Sequence, residues 1–86
     1  MGQAATVADK RDLRDWLVEA LTELGGAGGV VAVCGVVWRR HEADLRQAGD
    51  LFYTWQYDIR WAAQTLRDEG RLRPMDGKRR QPWALA

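Results

Sequence analysis

A chain of 86 residues is short enough to form a single domain, because hydrophobic cores rarely divide in two below a few hundred residues. Its composition, 47% hydrophobic with five Trp but one Cys and one His, excludes a disordered chain, an internal disulfide framework and a Cys-rich zinc site. The net charge is only +1, and no apolar run approaches the ~20 residues that cross a membrane, so the totals indicate neither a strongly basic protein nor a membrane-spanning one.

The first predicted element is an amphipathic helix over residues 10–24, which follows a flexible leader, residues 1–9, without the features of a signal peptide. Asp9 is a suitable N-cap, and Gly25 and Gly26 end the helix as a glycine C-cap does. Charged residues occupy the face opposite the apolar one. The apolar residues that recur at helical spacing are Leu13, Trp16, Leu17, Ala20, Leu21 and Leu24.

The next segment begins with a valine-rich run that periodicity alone assigns neither to a strand nor to a helix. We predict a short strand over residues 30–32, followed by a helix from about Val33 to Ala48. Gly35 would lie inside that helix and cost it about 1 kcal/mol relative to Ala. The glycines from Gly25 to Gly35 do not follow the spacing of a phosphate-binding loop, so we interpret this stretch as a connection.

A third helix is predicted from about Trp55 to Glu69, with Thr54 as its N-cap and Gly70 at its end. Its apolar side is formed by Trp55, Ile59, Ala62, Ala63 and Leu66. Its other side carries Tyr57, Arg60, Trp61, Gln64, Arg67 and Asp68. Trp61 is the unusual member of that side, and we expect it to fold back over the first helix or over the hairpin that follows.

The C-terminal residues predict a hairpin with strands over residues 71–74 and 82–85 and a turn at Asp76-Gly77. This region carries five basic side chains and one acidic one, a net charge of +4, whereas residues 1–70 carry eight basic and eleven acidic ones, a net charge of −3. The total of +1 is therefore an average over an acidic body and a cationic hairpin. Such asymmetry indicates a surface that faces a polyanion.

The order helix, strand, helix, helix, hairpin predicts an α+β domain over residues 10–86 with the winged helix-turn-helix arrangement. In that arrangement the third helix enters the major groove and the wing contacts the flanking backbone or the minor groove. Arg reads guanine and Gln reads adenine in the major groove, while Lys and Arg bind phosphates. The candidate DNA-binding residues are Thr54, Tyr57, Arg60, Gln64, Arg67, Arg71, Arg73, Lys78, Arg79 and Arg80.

The run from Tyr57 to Leu72, followed by Pro82-Trp83-Ala84-Leu85, resembles the N-terminal winged-helix domain of Mrr-type restriction systems. The pattern of that family is a hydrophobe, any residue and Trp-Ala, then Leu, Gly, an aliphatic residue and a basic loop that ends in Gly-x-Trp. Two features depart from the pattern: Gln81-Pro82 replaces a small-residue turn, and the valine run is unusually apolar. The resemblance implies a DNA-binding accessory domain that is fused to a nuclease or stands alone.

We therefore expect a cytoplasmic, non-enzymatic domain that binds double-stranded DNA, without a cofactor, a metal or a membrane. One such module contacts few bases, so high specificity would require a homodimer or a fused or partner protein. Cys34 and His41 lack the additional ligands or the base that a metal site or a nucleophile needs. The alternative is a winged helix that binds another protein and no DNA, which the acidic first helix and an exposed Trp38 or Trp61 would favour.

Overall fold

The computed structural model describes residues 7–75 and 81–86 of the chain. These residues form three helices, α1 (Asp12–Glu23), α2 (Val30–Arg46) and α3 (Leu51–Asp68), and two short strands, β1 (Ala27–Gly28) and β2 (Trp83–Ala84). Residues 1–6, most of the predicted leader, lie outside the described residues. The predicted α+β class is confirmed.

Helix α1 is preceded by a turn in which the carboxylates of Asp9 and Asp12 accept hydrogen bonds from nearby backbone N–H groups. The Asp9 carboxylate accepts the backbone N–H of Arg11 at 2.8 Å, and the Asp12 carboxylate accepts the backbone N–H of Asp9 at 2.9 Å. The N-cap residue of α1 is Arg11 rather than the predicted Asp9, so these two bonds belong to the turn that leads into the helix. Asp9 thus stabilises the entry to α1, although the helix itself begins at Asp12 rather than at residue 10.

The prediction of a strand over residues 30–32 is wrong, because Val30 is the first residue of α2. Within this run Val33, Val36 and Val37 are buried at helical spacing, whereas Val31 is 86% exposed. Because apolar residues also occupy the exposed side of this helix, the sequence does not show apolar and polar residues alternating at helical spacing. The strand lies earlier, at β1, where Ala27 pairs with Ala84 and Gly28 pairs with Trp83.

The prediction that Thr54 is the N-cap of the third helix is also wrong, because α3 begins three residues earlier, at Leu51. Gly49 has a positive φ of 65°, which turns the chain sharply between α2 and α3. Leu51 is buried in the core, so starting the helix at this residue brings its apolar side chain out of water. The Thr54 hydroxyl instead donates a hydrogen bond to Asp58 Oδ2 at 2.7 Å.

The sheet is smaller than the predicted hairpin. Of the predicted strands 71–74 and 82–85, Trp83–Ala84 forms β2, and Leu72 makes an isolated antiparallel bridge with Leu85. The predicted turn lies outside the described residues. Leu72 and Trp83 are buried and extend the core that the three helices form, so the sheet covers one end of that core.

The tryptophan rings join the helices to one another. Trp55 is buried, as predicted, and stacks on Trp38 with a centroid distance of 6.2 Å. Trp16 is only partly buried and stacks on His41 of α2 with a centroid distance of 4.0 Å. Trp61 packs against the core beneath the Lys10 ammonium, 4.4 Å from the ring centroid, which agrees with the expectation that it folds back towards the first helix.

Candidate nucleic-acid interface

The outward side of α3 carries a stripe of exposed side chains, which we call the α3 stripe and define as Tyr53, Tyr57, Arg60 and Gln64. Their spacing of four, three and four residues places them on one helical face. Tyr53 and Tyr57 are 84% and 76% exposed, respectively. Tyr53 was missed from sequence because it was assigned to the connection before the third helix, and the earlier start of α3 brings it onto this face.

Arg60 is the cation of the α3 stripe. Its exposed guanidinium makes no hydrogen bond and no ion pair with any residue that the structure describes. Its charge reaches Cys34 of α2: burial raises the pKa of the half-buried Cys34 thiol, and the Arg60 charge opposes that rise. Arg60 therefore lies on the side of α3 that adjoins α2, with its charge available to a ligand.

Gln64 is held by two neighbours on its own helix. Arg67 Nη1 donates to Gln64 Oε1 at 2.7 Å, and Gln64 Nε2 donates to Asp68 Oδ1 at 2.8 Å. Arg67 is half-buried, and its Nε is enclosed without a hydrogen-bond partner among residues 7–75 and 81–86. Of the side chains predicted to contact DNA, Arg67 is therefore placed against the helix surface, whereas Gln64 is exposed.

Arg71 and Arg73 follow α3 and are exposed on backbone that the sheet fixes. The Arg71 carbonyl accepts the backbone N–H of Ala86 at 3.1 Å, and the Arg73 backbone N–H donates to the Ala84 carbonyl at 2.8 Å. Arg73 Nε also donates to the Leu85 carbonyl at 3.3 Å. The remaining predicted wing residues, Lys78, Arg79 and Arg80, lie outside the described residues.

The arginines divide into two groups along the chain. Every described arginine up to residue 46 is paired with a carboxylate of another residue; the pairs are Arg11–Asp9, Arg14–Glu69, Arg39–Glu23, Arg40–Glu19, Arg40–Glu23 and Arg46–Glu42. The four later ones, Arg60, Arg67, Arg71 and Arg73, make no ion pair within the described parts of the chain. The arginine charge that has no carboxylate partner among the described residues thus lies on α3 and on the segment that follows it.

The paired arginines fasten the helices to one another. Glu23 of α1 accepts hydrogen bonds from Arg39 and Arg40 of α2, and these two guanidinium groups lower the pKa of its carboxyl. His41 Nε2 lies 2.6 Å from Glu19 Oε1, at the residue where α2 is kinked (φ −127°, ψ 19°). These residues therefore stabilise the contact between α1 and α2.

Among residues 7–75 and 81–86, no group of three or more His, Cys, Asp or Glu side chains is placed to hold a metal ion. In the same residues, no helix combines the length and the apolar character that a membrane span requires. Comparison of the chain with protein-family models, curated protein sequences and solved structures finds no match. The interface is therefore argued from its own residues.

Proposed function

We propose that this domain binds double-stranded DNA as a winged helix, with the α3 stripe in the major groove and the basic segment after α3 on the flanking backbone. The observation that carries the proposal is the separation of the arginines. The described arginines up to residue 46 are paired with carboxylates, whereas the described arginines of α3 and of the segment after it make no ion pair within residues 7–75 and 81–86. Unpaired guanidinium groups on one region favour a ligand that supplies anions, and DNA carries one phosphate charge per ~1.7 Å of helix axis.

The connectivity supports the same proposal. Strand β1 lies between α1 and α2 and pairs with β2, while Leu72 after α3 pairs with Leu85. Both ends of the segment 73–84 are thus fixed beside the core, and Lys78, Arg79 and Arg80 lie within that segment. This order is the one expected of a winged helix, in which the hairpin stands beside the recognition helix.

The chemistry of the α3 stripe fits a groove in DNA. Arg60 presents a fork of donors that matches the O6 and N7 acceptors of guanine, and Gln64 carries a donor and an acceptor. Tyr57 has a hydroxyl that donates to phosphate oxygens. The carboxylates of Asp58 and Asp68 accept hydrogen bonds from Thr54 and Gln64, respectively.

The test is a titration of fluorescent duplex DNA over a range of salt concentrations. We expect Arg60→Ala to lower the affinity about tenfold by removing a base or phosphate contact. If the contact is to phosphate, the variant also reduces the slope of log K against log salt by about one unit. Arg39→Ala is the matched control, because Arg39 is also exposed but is paired with Glu23. This variant should leave the affinity and the slope unchanged.

The proposal fails if the wild-type domain binds no duplex at low salt, or if Arg60→Ala and Arg39→Ala have equal effects.

A second set of variants tests the wing separately. Changing Lys78, Arg79 and Arg80 together to Ala should flatten the salt dependence by about three units, one for each lost phosphate contact. An unaltered slope would remove these three residues from the interface.

A second candidate function uses the same face for a protein partner. Tyr53 and Tyr57 are largely exposed aromatic side chains. Aromatic residues are enriched at protein–protein interfaces. Absence of DNA binding at low salt, together with loss of partner binding in Tyr53→Ala and Tyr57→Ala, would favour this candidate.

A further inference from the structure

The side chain of Gln64 is the one member of the α3 stripe whose orientation is imposed by charged neighbours. Arg67, one turn further along α3, donates to its oxygen, and Asp68, on the other flank, accepts from its nitrogen. The two bonds are 2.7 and 2.8 Å long, which is typical of bonds that involve a charged partner. Gln64 itself stays exposed, so its amide is fixed at the surface rather than sequestered.

The two charges select one of the two flip states of the amide. In the observed state the oxygen faces a cation and the nitrogen faces a carboxylate. Rotation of the amide by 180° would bring the N–H groups against the Arg67 guanidinium and the oxygen against the Asp68 carboxylate. Both flanks would then be repulsive, so the positions of the donor and the acceptor are specified in the free protein.

The amide retains a donor and an acceptor after both bonds are made. A primary amide has two N–H donors and two lone pairs on its oxygen, and each neighbour uses one of them. One N–H and one lone pair remain. Adenine presents N7 as an acceptor and N6 as a donor in the major groove, and a Gln amide satisfies both at once.

We infer that Gln64 reads adenine in duplex DNA and that Arg67 and Asp68 are positioning residues for that contact. The inference rests on the proposed DNA binding and adds its base specificity. Arg67 acts through Gln64 because its guanidinium is held at the helix surface, with Nε enclosed and Nη1 bonded to the amide. Asp68 acts through Gln64 because a carboxylate placed directly against a phosphate would repel it.

The test measures base preference and total affinity separately, in a binding selection from duplexes with a randomised site. The wild-type domain should prefer adenine at one position by about tenfold over the other bases, the discrimination expected of a bidentate contact. Asp68→Ala should weaken that preference, since only the Arg67 guanidinium then opposes the flipped state of the amide. Arg67→Met, which keeps the apolar stem and removes the guanidinium, should have the same effect.

Asp68→Asn is the matched control for Asp68→Ala. Both variants remove the negative charge and should raise the affinity for non-specific duplex equally. The Asn oxygen still accepts the Gln64 hydrogen, so adenine preference should persist in Asp68→Asn alone. Gln64→Glu should transfer the preference from adenine to cytosine, whose N4 amino group donates to a carboxylate.

Several results would overturn the inference. The wild-type preference in both Asp68→Ala and Arg67→Met would show that the amide needs no positioning. Equal loss in Asp68→Asn and Asp68→Ala would assign the effect to charge instead of amide orientation. Binding of duplex DNA without any adenine preference would refute the reading by Gln64 and leave the proposed function intact, whereas absence of duplex binding would refute both.

Discussion

Cys34 of α2 and Arg60 of α3 interact electrostatically. The thiol is half-buried on α2, and the nearby guanidinium belongs to the α3 stripe. Burial raises the pKa of the thiol because it disfavours the charged thiolate, while the Arg60 charge favours the thiolate and lowers that pKa. The reactivity of Cys34 is therefore a measure of where the Arg60 charge lies.

We predict that Cys34 reacts with iodoacetamide more slowly than an unstructured Cys at pH 7, because only the thiolate attacks. Arg60→Ala should slow the reaction further by raising the pKa of the thiol, and the midpoint of the rate–pH profile should move to higher pH. Arg39→Ala serves as the control, since Arg39 is paired with Glu23. An unchanged midpoint in Arg60→Ala would contradict the proximity of the two groups.

Glu23 makes the contact between α1 and α2 sensitive to acid. Arg39 and Arg40 lower the pKa of its carboxyl in the folded state through their hydrogen bonds. The resulting stabilisation is present above the ordinary Glu pKa of about 4.3 and is lost as the pH falls through the lower folded pKa. Both guanidinium groups remain charged throughout this range.

We predict that Glu23→Gln lowers the free energy of unfolding at pH 7 and that the difference from wild type shrinks as the pH falls below about 4. Urea unfolding at a series of pH values measures it. Asp15→Asn is the control, because exposed Asp15 makes no ion pair within the described residues. Parallel pH profiles for wild type and Glu23→Gln would contradict the assignment.

At the scale of the elements, two glycines have opposite roles. Gly49 turns the chain between α2 and α3 with a φ of 65°, a conformation that costs other L-residues about 1–2 kcal/mol. Gly35 lies inside α2, exposed, with open space around the position that a Cβ would occupy. The first glycine is required by its conformation, whereas the second weakens the helix that contains it.

We predict that Gly49→Ala destabilises the domain by about 1–2 kcal/mol and that Gly35→Ala stabilises it by about 0.5–1 kcal/mol. The two variants add the same methyl group, so each serves as the control for the other. Thermal or urea unfolding gives both values. Changes of the same sign would show that the turn at Gly49 tolerates a side chain or that α2 does not gain from one.

Periodicity predicted α1 and α3 because each has one continuous apolar face opposite charged residues. It failed for the valine run because Val31 is apolar yet exposed, so the run shows no polar face. Strand β1 has two residues and forms by pairing with Trp83 and Ala84, a partner far along the chain that no local pattern reveals. The start of α3 was misplaced because a favourable cap residue, Thr54, outweighed the burial of Leu51.

Helical spacing also predicted part of the candidate interface. Arg60 and Gln64 were placed on the outer face of the third helix from spacing alone, and the structure exposes both. Tyr53 was missed through the misplaced start of that helix. The bonds that Arg67 and Asp68 make to Gln64 depend on side-chain rotamers, which spacing permits but does not specify.

At the scale of the whole molecule, one aromatic residue near the C-terminus closes the core. Trp83 is only 7% exposed and belongs to β2, the strand that pairs with β1. It joins a core that otherwise comes from the three helices, from Ala48 between α2 and α3, and from Leu72. Because a domain of this size has a small core, one large side chain contributes a substantial share of its stability.

We predict that Trp83→Ala lowers the free energy of unfolding by about 3–5 kcal/mol, the usual cost of truncating a buried aromatic residue. Total stabilities are typically only about 5–15 kcal/mol, so the variant should lose a large share of the stability of the domain. Tyr53→Ala is the control, since Tyr53 is 84% exposed and its loss should change stability by less than about 0.5 kcal/mol. Similar losses in both variants, measured by urea unfolding, would contradict the role of Trp83 in the core.

The pairing of Ala27 with Ala84 also sets the order of events during synthesis. The two residues are 57 positions apart, so at about 5–20 residues per second the first strand waits roughly 3–11 s for its partner to be translated. Until Trp83 is available, the side of the core that it later covers stays open to water. The nascent chain therefore passes through a stage at which chaperones and proteases have access to apolar surface that the finished domain conceals.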